Sequence, residues 1–126
     1  MKAKTNLTML CDFYELTMAN GYFQTGLQNR ICYFDVFYRS VPDKGGFAIA
    51  AGLAQVVEYI QELCFDEEDM AYLRTKGCFS EEFLSFLRDF RFTGDIWAVP
   101  EGTPVFPNEP ILTVRAPAIQ AQFVET

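Results

Sequence analysis

Histidine is missing from all 126 residues, so an imidazole base, a His-held zinc ion and a Ser/His/Asp relay are excluded within this chain. Positive charge is also in short supply. Ten Lys and Arg face 17 Asp and Glu, giving a formal net charge of -7 and a pI of about 4.5. That balance disfavours general attraction to nucleic-acid phosphates or to anionic lipid, so neither nucleic acid nor membrane is expected as a partner. No long apolar run follows the lysines of the first ten residues, and no signal peptide or membrane span is expected. Cys11, Cys32, Cys64 and Cys78 contain no CxxC pair, and each lies beside a large apolar residue (Leu10, Tyr33, Leu63, Phe79). They read as reduced thiols of a cytoplasmic protein rather than as bridges. Neither GxxxxGK[ST] nor a GxGxxG leading into a helix is present, so the two glycines after Lys44 read as a hairpin turn and not as a phosphate cradle.

Apolar material, by contrast, is ample. Half the residues are hydrophobic and 16% are aromatic, which is enough for one core and one domain, with room for two small lobes. Leu7, Leu10, Tyr14, Met18 and Tyr22 recur at helical spacing, predicting an amphipathic helix from about Thr8, with Gly21 and Gly26 punctuating its end. Residues Arg30 to Val41 alternate with period two and predict a strand. The segment Phe47 to Ala51 predicts a short returning strand paired with it in a hairpin, turned at Gly45 and Gly46.

A three-helix stretch follows. Leu53, Val56, Val57, Ile60, Leu63 and Cys64 form one apolar stripe expected to pack on a core. Asp66 is placed to cap a second helix closed by Gly77, and Ser80 a third, with Phe79 and Leu84 spaced for a hydrophobic staple and Phe83, Leu87 and Phe90 facing inward. From Thr93 to Ala116, short strands alternate with Pro- and Gly-bearing turns and predict a compact β lobe. Ala118 to Thr126 predicts a last helical stretch with Ile119 and Phe123 four apart, ending without a cap; the chain is therefore expected to be part of a longer polypeptide. The class is α+β: a helix and hairpin, three helices, and a small lobe of barrel-sandwich type.

Groups that carry chemistry are few. The acidic runs Asp66 to Asp69 and Glu81-Glu82 each follow a helix start, where capping and the helix dipole account for them. Asp12 and Tyr14 put a carboxylate and an aromatic ring near a helix start. Arg39 closes a strand in mostly acidic surroundings and by default is a surface ion pair.

Several runs, in order, carry a resemblance to a known family. They are Asp12-Phe13-Tyr14-Glu15-Leu16-Thr17-Met18-Ala19 with Gly21-Tyr22-Phe23, Phe34-Asp35-Val36-Phe37-Tyr38-Arg39, and Gly52-Leu53. After these come Tyr72-Leu73-Arg74, Phe79 to Leu84, Phe90 to Asp95, Pro100 to Thr103 and Phe106 to Pro110. This series resembles the opening of nicotinate phosphoribosyltransferases, type II phosphoribosyltransferases whose later part is an irregular α/β barrel on which the N-terminal domain packs. The resemblance implies a truncated N-terminal domain over residues 1–126, inactive alone, with its β lobe at about 93–116. The whole enzyme would join nicotinate to phosphoribosyl pyrophosphate in NAD salvage, with coupled ATP hydrolysis and Mg²⁺ on the phosphates, as a cytoplasmic homodimer with shared active sites. It further implies that Tyr14 stacks on the pyridine ring across the dimer interface, with Asp12 as its neighbour, and that Arg39, a looser match, approaches the phosphates. It assigns no catalytic residue and no metal ligand to this stretch. Cys11 stands where the family more often has Thr or Ser, leaving Asp12 as the expected helix cap. The alternative reading is a stand-alone binding module with a lipoyl-like lobe, which would lack the modified lysine at a hairpin tip.

Overall fold

The computed structural model describes residues 6–126. Helix α1 (Phe13–Gln24) buries Glu15, Leu16 and Ala19. It does not begin near Thr8, because Thr8 is engaged elsewhere: its buried hydroxyl accepts the N–H of Cys64 at 2.9 Å, and its own N–H donates to Asn6 Oδ1 at 3.0 Å. The predicted stripe lies on the outer side. Leu7, Leu10, Tyr14 and Met18 are exposed and Tyr22 is half-buried, since the three-residue register Glu15, Leu16, Ala19 faces the core instead. Gly26, at φ 74°, ends the helix as expected; its N–H and that of Leu27 close on the carbonyls of Phe23 at 3.3 Å and Tyr22 at 2.9 Å.

Strand β1 (Ile31–Val36) is followed by a 3-10 turn (Pro42–Lys44) and the two-residue strand β2 (Ala48–Ile49). The predicted hairpin between these strands does not form. The turn is made by Lys44, at φ 57°, rather than by glycines in the left-handed region. Strand β2 pairs with β4 (Pro104–Val105), and β1 pairs antiparallel with β5 (Leu112–Pro117), Ile31 opposite Pro117 and Val36 opposite Leu112. Strand β3 (Asp95–Ala98) lies on the other edge of β5, which is thus the centre of a β1-β5-β3 sheet. The predicted lobe of residues 93–116 therefore is not self-contained. Its strands borrow β1 and β2 from the first half of the chain, giving two open sheets with no closed barrel among the described residues, within the expected α+β class. Gly94 marks the tight entry to β3: a Cβ there would meet Ala116 Cβ at 2.6 Å and the Arg115 carbonyl at 2.7 Å.

Helices α2 (Leu53–Glu62), α3 (Glu67–Arg74) and α4 (Glu81–Arg88) occupy the predicted places. Asp66 accepts the N–H groups of Glu68 and Asp69, both at 2.9 Å, while Asp69 Oδ2 accepts the Asp66 N–H at 3.0 Å, a complete capping box. Ser80 Oγ accepts the Phe83 N–H at 3.2 Å, and Gly77 takes the left-handed conformation that ends α3. The core joins Leu16 and Ala19 to Met70, Leu73, Phe83, Leu84 and Leu87, and to Ile119 and Phe123 of helix α5 (Ala118–Phe123). Phe65, Phe90 and Phe123 meet edge-on with centroids 5.3 to 5.8 Å apart. The α2 stripe is only partly covered: Ile60 and Leu63 are buried, Leu53 and Val56 half-buried, and Val57 exposed. All four cysteines are unbridged.

Candidate functional site

Turning Glu15, Leu16 and Ala19 inward forces Tyr14 to the outer side of α1, where its ring is 45% exposed. The ring is nevertheless held. Its hydroxyl donates to Glu125 Oε1 at 2.6 Å, and the other oxygen of Glu125 accepts from Gln122 Nε2 at 2.5 Å. Gln122 is itself buried on α5, which packs along α1, so an exposed ring is tied through two hydrogen bonds to the interior. The bond to a carboxylate, with acidic neighbours, pushes the Tyr14 phenol up to about 12, so it remains a donor at physiological pH.

Beneath Tyr14 lies a carboxyl group in an unusual place. Glu15 is fully buried; Oε1 accepts from the Thr126 hydroxyl, and Oε2 has no hydrogen-bond partner among the described residues. Burial raises its pKa above the ordinary 4.5, the Thr126 hydrogen bond opposes this, and Glu125 and Asp12 add to the rise. Cys11, at the same end of the helix, is pushed up to about 11 by burial and by Glu15, Asp12 and Asp69. Burial and the nearby carboxylates thus disfavour its thiolate form.

Asp12 occupies the cap position of α1, but its side chain makes no capping hydrogen bond, contrary to expectation; the Glu15 N–H bonds the Asp12 backbone carbonyl at 3.0 Å. The carboxylate is exposed, two residues before Tyr14 in the chain. Arg39 lies in the loop beyond β1 rather than on a strand, exposed and without a hydrogen bond or ion pair among the described residues. Its neighbour Tyr38 is pinned there, donating through its hydroxyl to the Val105 carbonyl at 2.6 Å. Among the described residues no bond joins Arg39 to Asp12 or Tyr14; Asp12 and Tyr14 lie at the start of α1, and Arg39 in the loop after β1.

An apolar groove of about 280 Å³ runs between α2 and the sheet, lined by Val36, Leu53, Val56, Ile60, Ile111 and Leu112 and bounded by Glu101 and Glu125. Glu101 Oε1 accepts the N–H groups of Gly52 at 2.9 Å and Ala54 at 3.2 Å. The start of α2 is thereby occupied by the protein's own carboxylate and is not an anion site. Among the described residues no group of three or more Cys, Asp and Glu side chains is arranged to hold a metal ion. Sequence reasoning missed Glu15, Gln122 and Glu125. A glutamate on a helix is ordinarily a solvent-facing residue, and nothing in its local pattern marks a partner 111 positions away.

Comparison with known proteins bears on this geometry. A family model described as the nicotinate phosphoribosyltransferase N-terminal domain matches residues 9–126. A nicotinate phosphoribosyltransferase of Mycobacterium tuberculosis is 48% identical over 118 residues, spanning 94% of this chain and 25% of that protein. The Bacillus subtilis nicotinate phosphoribosyltransferase is 36% identical over 121 residues, spanning 96% of this chain and 25% of that protein. The crystal structure of human nicotinic acid phosphoribosyltransferase superimposes with a TM-score of 0.82 at 32% identity, covering 90% of this chain and 23% of the human chain. The chain thus spans about a quarter of the length of these relatives. With its residues 9–126 matched throughout by one family model and its fold shared with a solved member, the chain belongs to the nicotinate phosphoribosyltransferase family, in the part that forms the N-terminal domain.

Proposed function

We propose that this chain is the N-terminal part of an enzyme that joins nicotinate to the ribose of phosphoribosyl pyrophosphate, releasing nicotinate mononucleotide and pyrophosphate, in the salvage route to NAD. In that reaction the pyridine nitrogen forms a bond to the ribose carbon C1. The bond from C1 to pyrophosphate breaks, and its electron pair leaves with the pyrophosphate. The chain's own contribution is a platform: the open face of Tyr14 lies flat on the pyridine ring and orients its nitrogen for in-line attack, in a pocket shared between two subunits. Asp12 borders that ring, and Arg39, free of any internal partner among the described residues, is assigned to the phosphates.

The observation that carries this reading is a half-exposed aromatic ring fixed from behind by Glu125, on a chain whose relatives bear the name of this activity. Coupled ATP hydrolysis and Mg²⁺ belong to the same proposal. Among the described residues no set of side chains is arranged to hold the ion, so its ligands are assigned to the remainder of the enzyme, and no step is derived through it. A cytoplasmic homodimer belongs to the same proposal, in keeping with what the resemblance to the family implies; among the described residues no helix is long and apolar enough to cross a membrane.

The test is Tyr14→Ala in the full-length enzyme. Loss of the platform is expected to raise KM for nicotinate by about tenfold or more while KM for ATP and for phosphoribosyl pyrophosphate stays within about twofold. Small and equal changes in all three would refute the stacking role.

A further inference from the structure

An exposed tyrosine on a helix has two side-chain torsions free, and ordering them on binding has an entropic cost. Tyr14 does not carry that freedom. Its hydroxyl reaches Glu125 Oε1 at 2.6 Å, within the short range of a hydrogen bond to an ionised carboxylate. Glu125 is itself held by its second oxygen at 2.5 Å from Gln122 Nε2, and Gln122 is 1% exposed. The helices that bear the two ends of this relay are packed together, Leu16 and Ala19 of α1 sharing a buried cluster with Ile119 and Phe123 of α5. The edge of the ring is therefore fixed while 45% of the residue's surface remains open.

We propose that Glu125 is a positioning residue that holds the Tyr14 ring in its stacking orientation and enriches its π face for a cationic pyridinium. The inference rests on the stacking reading given above and adds to it a residue and a preference. The orientation part follows from the relay. The electronic part follows from charge: a phenol donating to a carboxylate carries more electron density in its ring, and a pyridine becomes positively charged when its nitrogen bonds to C1 of ribose. A ring face of this kind attracts a cation more than a neutral heterocycle. The interaction therefore strengthens as the bond forms, which is the condition for raising the rate and not merely the affinity.

The experiment uses the full-length enzyme with Tyr14→Ala, Tyr14→Phe, Glu125→Ala, Glu125→Gln and the double variant Tyr14→Phe/Glu125→Ala. Tyr14→Phe and Glu125→Ala are each expected to lower kcat/KM for nicotinate by about three- to tenfold, with KM for phosphoribosyl pyrophosphate within about twofold. Because the two act through one bond, the double variant is expected to be no worse than the poorer single variant. Glu125→Gln, which retains an acceptor without the charge, should recover most of the nicotinate KM but not kcat. A near-ultraviolet difference titration gives a readout independent of turnover: Tyr14 and Tyr59 are both pushed up to about 12, Tyr14 by its bond to Glu125 and Tyr59 by burial, so Glu125→Ala and Tyr14→Phe should each remove one high-titrating tyrosine while that of Tyr59 stays. Wild-type kinetics in Tyr14→Phe and Glu125→Ala alongside a damaged Tyr14→Ala would overturn the positioning role and leave stacking intact. Multiplicative losses in the double variant would also overturn it. A silent Tyr14→Ala would overturn both. If Glu125→Ala fails to fold, Tyr14→Phe, which removes one hydroxyl, decides the matter.

Discussion

Glu15 is a buried carboxyl group with an oxygen left unpaired among the described residues, a rare situation for a glutamate. Its side chain is fully buried, one oxygen is bonded to Thr126 and the other has no partner among the described residues. A buried carboxylate with an orphan oxygen is costly, and the group responds by holding its proton more tightly than the ordinary 4.5. The consequence for stability has a definite sign. Above the unfolded-state value the unfolded chain has released a proton that the native chain still holds, so this residue's contribution is complete below about 4.5 and is lost as pH rises through the folded value. Glu15→Gln removes the titration. The difference in urea midpoint between variant and parent should therefore grow in favour of the variant as pH is raised from about 4 to about 8. A difference constant with pH would show that Glu15 does not titrate abnormally. At this scale the sequence singles out Tyr14 as a candidate, because an aromatic beside a carboxylate at a helix start resembles a known motif, and the stacking role given to it is a proposal. Glu15 and Glu125 were not legible, because burial and long-range partnering leave no mark on neighbouring residues.

Among the elements, the helices whose ends are built from their own residues were legible and those defined by tertiary contacts were not. Asp66 and Ser80 precede acidic first turns, and both cap as their chemistry requires. Asp12 has the same residue type at the same position and caps nothing, since its helix is held by the α1 and α5 packing instead. This contrast is measurable. Ser80→Ala should lower stability by about 1 kcal/mol. Asp66→Ala should cost more, because Asp66 accepts two backbone N–H groups and a contact from Asn6 at 3.3 Å. Asp12→Ala should leave the denaturation midpoint unchanged, and a loss there comparable to Ser80→Ala would mean that its side chain caps α1 after all. The start of α1 was misjudged for a related reason. Apolar residues at helical spacing identify a helix, but Leu7 and Leu10 precede it, Tyr14 and Met18 line its exposed side, and periodicity alone cannot say which of two faces meets the core.

For the whole molecule, the element that unites the chain is β5, with β1 of the first half on one edge and β3 of the second half on the other. The sequence showed the period of these strands but not their partners. Proximity in sequence favoured a β1 and β2 hairpin, whereas Lys44 rather than a glycine turn leads out of the 3-10 segment, and β2 is delivered to β4. This topology distributes stability unevenly. Strand β5 buries Val114 and Ala116 and is bonded on both sides, while α2 is anchored by Ile60 near its end and by Leu63 beyond it, its first turns bordering an open apolar groove. Local opening should follow the same division, since segments with few buried apolar contacts open most readily. In native-state hydrogen exchange, the amides of Thr113 to Ala116 should be among the slowest of the chain, and those of Val56 to Glu58 should exchange by a local event at least about a hundredfold faster. Equal protection of α2 and β5 would show that α2 opens only with global unfolding, and that the groove beside it is as firmly closed as the sheet.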